Sequence, residues 1–187
     1  MPARPPDAAH RPYPGHRRYR YVGPEELRAA VRPGAAGRAI RTAGDLDGWA
    51  AERTAELAEP VTFVVDPQGT LRVAPRRSEH VACAGGGQVL SAGEMRFARV
   101  AGRWTVAEVS NQSTGYCPDP ASWPAVAAAL DRAGIGRPAG FTHVVVFRRC
   151  AECQERAIVH DGDFVCVFCG GALPVAWNVD PEPPDGP

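Results

Sequence analysis

The sequence predicts an α+β protein: a small mixed or antiparallel sheet with flanking helices, and a cysteine-anchored hairpin at its C-terminal end. Three observations lead there. Apolar residues recur at helical spacing in some stretches and form β-rich runs in others, without the regular β-α-β alternation of a parallel fold. The β-rich runs come in pairs around turn residues, which marks antiparallel hairpins. Near the C-terminal end, Cys150-Ala151-Glu152-Cys153 and Cys166-Val167-Phe168-Cys169 are two Cys-x-x-Cys pairs separated by twelve residues.

Taken in order, residues 1–18 are rich in Pro and Arg and have too few apolar residues for a core, so a disordered basic arm is expected. Pro24-Glu25-Glu26-Leu27 opens a short helix, with proline at its start and acids in the first turn, and Pro33-Gly34 stops it. A second helix is expected over 45–57, with Leu46, Trp49, Ala50 and Leu57 as its apolar face and Pro60 beyond its end. Strands follow at 61–65 and 70–74 around Asp66-Pro67-Gln68-Gly69, then at 94–100 and 104–109 around Ala101-Gly102-Arg103. Residues 120–133 form an Ala-rich helix with Trp123, Val126, Ala127 and Leu130 at helical spacing, closed by Gly134. A last strand, 141–147, places His143 inside an apolar run as a core or sheet-face residue. The main domain thus spans 19–147, the cysteine module 148–178, and an acidic Pro-rich tail 179–187, expected to be disordered.

The cysteine module reads as a zinc ribbon. Zinc takes four deprotonated thiolates at tetrahedral corners, and each Cys-x-x-Cys turn offers two from one side. Gly170-Gly171 lets the backbone turn so that its amides face the sulfurs, and Asp161-Gly162 turns a hairpin between residues 158–160 and 164–165. Four ligands, Cys150, Cys153, Cys166 and Cys169, close the coordination sphere, so the Zn2+ is expected to be structural. A thioredoxin-like redox role lacks its β-α-β setting. A deaminase role lacks the proline before the cysteine pair and the His-x-Glu upstream, since Ser78-Glu79-His80 has the acid first.

Composition removes other classes. The formal net charge is zero, with 21 basic and 21 acidic residues, so no global attraction to nucleic acid or anionic membrane is expected. All the basic residues are Arg, which reflects a GC-rich coding genome. No apolar run is long enough to span a membrane. Metal-spaced thiols then imply a cytoplasmic address.

Chemistry also gathers in the middle of the chain, in Arg76-Arg77-Ser78-Glu79-His80-Val81-Ala82-Cys83-Ala84-Gly85-Gly86-Gly87, Ser91-Ala92-Gly93-Glu94 and Asn111-Gln112-Ser113-Thr114-Gly115-Tyr116-Cys117-Pro118. Polar, titratable and Gly residues between strands suit a binding loop cluster. The glycines match neither the dinucleotide nor the Walker pattern. His80 is a candidate base or ligand, Cys83 a candidate nucleophile, and Glu79 with Glu94 a candidate acid/base pair. Asn111, Ser113 and Tyr116 are candidate ligand-binding donors and acceptors. Structural roles stand open for each of them, and for Cys117.

The succession His80, Gly85-Gly86, Ala92-Gly93-Glu94 and Asn111 to Pro118, over residues 76–118, resembles a domain of plant IQ-motif calmodulin-binding proteins and its microbial relatives. Those have a His-Ser-rich segment, Gly-Gly, an Ala-Gly strand and a Ser-Gly-His-Tyr-like motif ending in Pro. Here Ser113-Thr114-Gly115-Tyr116 lacks the His before Tyr, and there is no IQ helix. The resemblance implies kinship with uncharacterised bacterial proteins carrying the same C-terminal ribbon, and it implies no activity. Three functional expectations follow: a zinc-binding module for a small polar ligand or a protein partner; an enzyme acting on a nucleotide-like or amide substrate through His80 with Cys83 or Glu94; and a nucleic-acid-binding ribbon, disfavoured by its balanced charge.

Overall fold

The structure, a computed structural model, describes residues 16–53, 57 and 59–180. It is α+β. Five strands, β1 (Arg38–Ile40), β2 (Val61–Val65), β3 (Leu71–Ala74), β4 (Ser91–Val100) and β5 (Arg103–Val109), form an antiparallel sheet in the order β1-β3-β2-β4-β5. All five residues of the central β2 are buried, because both faces of the sheet are covered. Val61, Phe63 and Val65 point to a core shared with Leu46 and Trp49 of α2 (Ala43–Glu52) and Val126 and Leu130 of α4 (Trp123–Ala133). Val64 faces the other way, into a cluster with Ala92, Tyr19, Tyr116 and the short helix α3 (His80–Cys83). The result is three layers, and the expected loop cluster belongs to the second face.

Turn chemistry places the elements. Asp66 closes the β2–β3 hairpin by accepting the Gln68 and Thr70 amides at 3.1 and 2.9 Å. Ala101 and Gly102 both adopt positive φ (49° and 78°), the two-residue turn that suits twisted antiparallel strands. Helix α2 opens with a capping box between Thr42 and Asp45, two residues before the expected start, and ends at Glu52 rather than 57. Residues 54–56 and 58 lie outside the described residues, and Leu57 packs against the core. The short helix expected from Pro24 is α1 (Glu25–Ala29).

Three elements depart from the expected reading. Strand β1 and helix α3 have too few residues for a visible period. The expected strand 141–147 forms no ladder before Phe147: Thr142 and His143 both donate to the Val109 carbonyl (2.8 and 3.1 Å), and Val145 donates to the Asn111 side chain (2.8 Å). Isolated backbone hydrogen bonds and the Asn111 and Thr142 side chains hold this segment beside the end of β5, without a continuous ladder. His143 is exposed at the edge, not in the core.

Both ends of the described chain are stitched to the body. Tyr19, 2% exposed, exchanges backbone hydrogen bonds with Val89 at 2.7 and 3.0 Å. The Arg17 guanidinium lies 4.7 Å over the Trp177 ring. Arg20 binds both carboxylate oxygens of Asp180, at 2.8 and 2.5 Å, and Val179 is buried with Phe147 and Cys117. Residues 17–20 of the N-terminal segment and 179–180 of the C-terminal one are therefore part of the fold. Residues 1–15 and 181–187 of the expected arm and tail lie outside the described residues.

Candidate metal centre and polar loop network

Two short strands, β6 (Phe147–Arg149) and β7 (Arg156–Ile158), pair antiparallel and carry the first cysteine turn between them. Its backbone closes on itself: the Gln154 amide donates to the Cys150 carbonyl (3.1 Å) and the Cys150 amide to the Glu155 carbonyl (2.9 Å). The second turn repeats the pattern, Gly170 to Cys166 and Cys166 to Gly171, both at 2.8 Å. The residue after each pair, Gln154 or Gly170, takes positive φ (62° and 77°), which is why glycine suits the second turn. Asp161 and Gly162 also have positive φ, and Asp163 donates to the His160 carbonyl at 2.8 Å, so the expected hairpin turn is present.

The four sulfurs lie within 4.8 Å of one another. Cys150 and Cys169 stand 3.6 Å apart, as do Cys153 and Cys166. A tetrahedron with metal–sulfur bonds of about 2.3 Å has edges of about 3.8 Å, so the cluster has the size a metal ion requires. The Gly171 amide points at the Cys169 sulfur at 3.4 Å, the kind of donor that steadies a thiolate ligand. The Cys153 amide pulls the Cys150 thiol down to about 7. Against the Glu155 amide, which acts the same way, burial and the neighbouring sulfurs push Cys153 up to about 12. Crowded thiols resist sharing negative charge, and a bound cation relieves that conflict.

Two side chains that the sequence reading left aside fasten this centre to the body. Arg148, 6% exposed, donates to the carbonyls of Phe147, Pro174 and Val175 at 2.7 to 3.1 Å and stands 3.8 Å from Asp119. Trp177 donates to the Cys117 carbonyl at 2.8 Å and meets Tyr19 edge-on, with centroids 5.2 Å apart. The only signals in the sequence were an arginine directly after an apolar run and a lone tryptophan in a Pro-rich segment.

In the middle segments the side chains of His80, Cys83, Asn111 and Tyr116 are engaged with backbone. His80 Nε2 lies 3.0 Å from the Gly93 carbonyl; a carbonyl only accepts, so this nitrogen carries the proton. Burial holds the His80 pKa below its ordinary value, against the Gly93 contact and the charges of Glu94 and Glu79. Gly93 is required where it stands, since a Cβ there would lie 2.0 Å from the Ser110 carbonyl oxygen. Next in the chain, Asn111 is fully buried, donates to Pro118 and Val145 carbonyls (2.9 and 2.7 Å), and accepts from Val145. Tyr116, also fully buried, donates to the Gly87 carbonyl at 2.6 Å and packs edge-on against Tyr21; burial raises its pKa.

The Gly85-Gly86 pair caps α3. With φ of 65° and 82°, these residues donate to the carbonyls of Ala82 (2.9 Å) and Val81 (2.8 Å), in the manner of a Schellman motif. Cys83 packs at 1% exposure with its sulfur 3.7 Å from the Arg72 carbonyl, and burial pushes its thiol up to about 12. Cys117 is equally buried and also pushed up to about 12 by burial. His80 and Cys83 share one helix but reach to opposite sides, towards β4 and β3, which flank β2. Glu79 is exposed. Glu94 is half-buried and lines, with Glu108 and His143, a hollow of about 180 Å³. Ser113, 1% exposed, has the one buried side-chain oxygen or nitrogen without a hydrogen-bond partner among the described residues.

No helix of the described residues is long and apolar enough to cross a membrane. In comparisons with known proteins, no family model, curated protein or solved structure matches the chain.

Proposed function

We propose that the chain is a cytoplasmic binding module, stapled by one structural Zn2+ ion, whose ribbon end docks a basic protein segment. Four thiolates at tetrahedral spacing suit zinc and leave no position open for a substrate. The observation that carries the docking reading is the second cysteine turn. Its two free positions are Val167 and Phe168, exposed at 64% and 62%, with Val165 beside them at 43%. Of six exposed large hydrophobic residues among the described residues, these three and Val175 lie in the ribbon, and exposed apolar residues grouped on a rigid turn mark an interaction surface. In the same ribbon Glu152, Glu155, Asp161 and Asp163 are exposed, against one exposed arginine, Arg149, and form no ion pair among the described residues. That charge favours a basic partner and disfavours nucleic acid.

Less supports an enzyme built on His80. Its proton-bearing nitrogen is occupied, and the Cys83 thiol is far from the thiolate form a nucleophile needs.

Fluorescence anisotropy with a labelled amphipathic Arg/Leu peptide tests the docking reading. Binding is expected, together with its loss in the double variant Val167→Ser, Phe168→Ser at unchanged zinc content. Equal binding of a Glu/Leu peptide, or indifference to the double substitution, would sink it. A salt-steep affinity for duplex DNA would favour the nucleic-acid reading instead.

A further inference from the structure

We infer that a second, separate site, the cleft between α1, the β2–β3 turn and the glycine cap of α3, binds a small polyanion. The cleft encloses about 650 Å³ and is lined by Arg28, Arg32 and Arg72 together with Gln68, Gln88 and the Gly85–Gly87 loop. That volume lies in the range of small-ligand pockets.

Three arginines line the cleft against one acidic residue. The single acidic residue of the lining, Asp66, is already committed: Oδ1 accepts the Gln68 and Thr70 amides, and Oδ2 accepts Arg72 Nε at 2.9 Å. Arg72 is held a second time by the Gly37 carbonyl, 3.2 Å from Nη1. Asp66 therefore acts as a bracket that fixes the direction of Arg72, whose Nη2 makes no hydrogen bond among the described residues. Fixing a guanidinium beforehand lowers the ordering cost of binding. Arg28 is oriented through Glu25 at 2.9 and 3.0 Å. The Arg32 side chain is exposed and makes no hydrogen bond or ion pair among the described residues.

The glycines contribute room and no donors. The amides of Gly85, Gly86 and Gly87 are taken by α3 and the turn after it, so the loop does not cradle phosphate as a Walker loop does. With no side chains, it leaves the wall open. Recognition falls to three guanidiniums, which pair with clustered anionic oxygens in two-pronged fashion, and to two carboxamides. Phosphate esters and polycarboxylates share that chemistry.

Isothermal titration with inorganic pyrophosphate and with citrate, at low ionic strength, separates the two sources. Binding of either is expected, weakened by about tenfold or more in Arg32→Gln, a substitution that removes no side-chain hydrogen bond or ion pair among the described residues. Arg103→Gln, at the exposed start of β5, is expected to leave binding unchanged. Pyrophosphate binding alone assigns a phosphorylated ligand; citrate binding alone assigns a carboxylate. No heat with either anion would overturn the inference, as would binding that Arg32→Gln leaves intact or that Arg103→Gln weakens equally.

Discussion

The ribbon and the middle loops both hold conspicuous polar side chains, and they use them in opposite ways. In the ribbon, four sulfurs point at one another while the backbone of each turn hydrogen-bonds to itself. In the middle loops the side chains reach away from their own segment to the backbone of another: His80 to Gly93, Tyr116 to Gly87, Asn111 to Pro118 and Val145. The first arrangement leaves a cluster of the size that could hold a cation. The second leaves almost nothing to complete, because each donor already has its acceptor. His80, Asn111 and Tyr116, residue types that suggest chemistry when read along the chain, clamp loops to one another here, whereas Glu79, Glu94 and Ser113 do not.

The largest expected effect sharpens that contrast. Cys166→Ser removes one of four ligands, and structural zinc supplies on the order of 10 kcal/mol to a module of this size. Elemental analysis should give one zinc per wild-type chain and close to none in the variant. Hydrogen exchange should show the ribbon amides opening while those of β2 and β4 stay protected. Exchange that accelerates equally in β2 would mean that the sheet depends on the metal, and the two regions would then fold as one.

Gly93→Ala acts on the other side of the comparison. The added methyl would meet the Ser110 carbonyl oxygen at 2.0 Å and the Asn111 Cα at 3.1 Å, both backbone, so no side-chain movement relieves it. A loss of about 3 kcal/mol is expected in urea unfolding, from overpacking a closed site, with zinc content unchanged. A loss within a few tenths of a kcal/mol would show that the 110–118 segment is loosely held and free to receive a ligand.

The same contrast explains what the sequence revealed. The cysteine cluster was legible because its geometry is local: spacing within each pair, the positive-φ residue after it, and the Asp161-Gly162 turn all lie within 20 residues of one another. The β2–β3 and β4–β5 hairpins were legible for the same reason. Asn111 was not, since its partner Val145 is 34 residues away, and Tyr116 lies 29 residues from Gly87. The tract Gly85-Gly86-Gly87 looked like a ligand loop because α3, the four-residue helix it caps, carries no period of its own. Nor does any local pattern bring Arg28, Arg32 and Arg72 to one cleft; they meet because β3 runs beside the loop after α1.

His80 decides whether the clamp description holds at a residue equally suited to catalysis. Burial, outweighing the Gly93 carbonyl and the Glu94 and Glu79 charges, sets its folded pKa below 6.5. Between the folded value and 6.5 the unfolded chain holds more protons, so the contribution is fully present above about pH 6.5 and is lost as pH falls through the folded value. His80→Gln keeps an N–H for the Gly93 carbonyl and cannot titrate. At pH 7 it should cost about 1 kcal/mol, the order of one imperfect hydrogen bond. Between about pH 7 and 5 the wild type should lose stability faster than the variant, narrowing that gap. Urea unfolding at a series of pH values reads both slopes. Parallel slopes would mean that His80 titrates as freely in the fold as outside it, and the imidazole would again be available as a base.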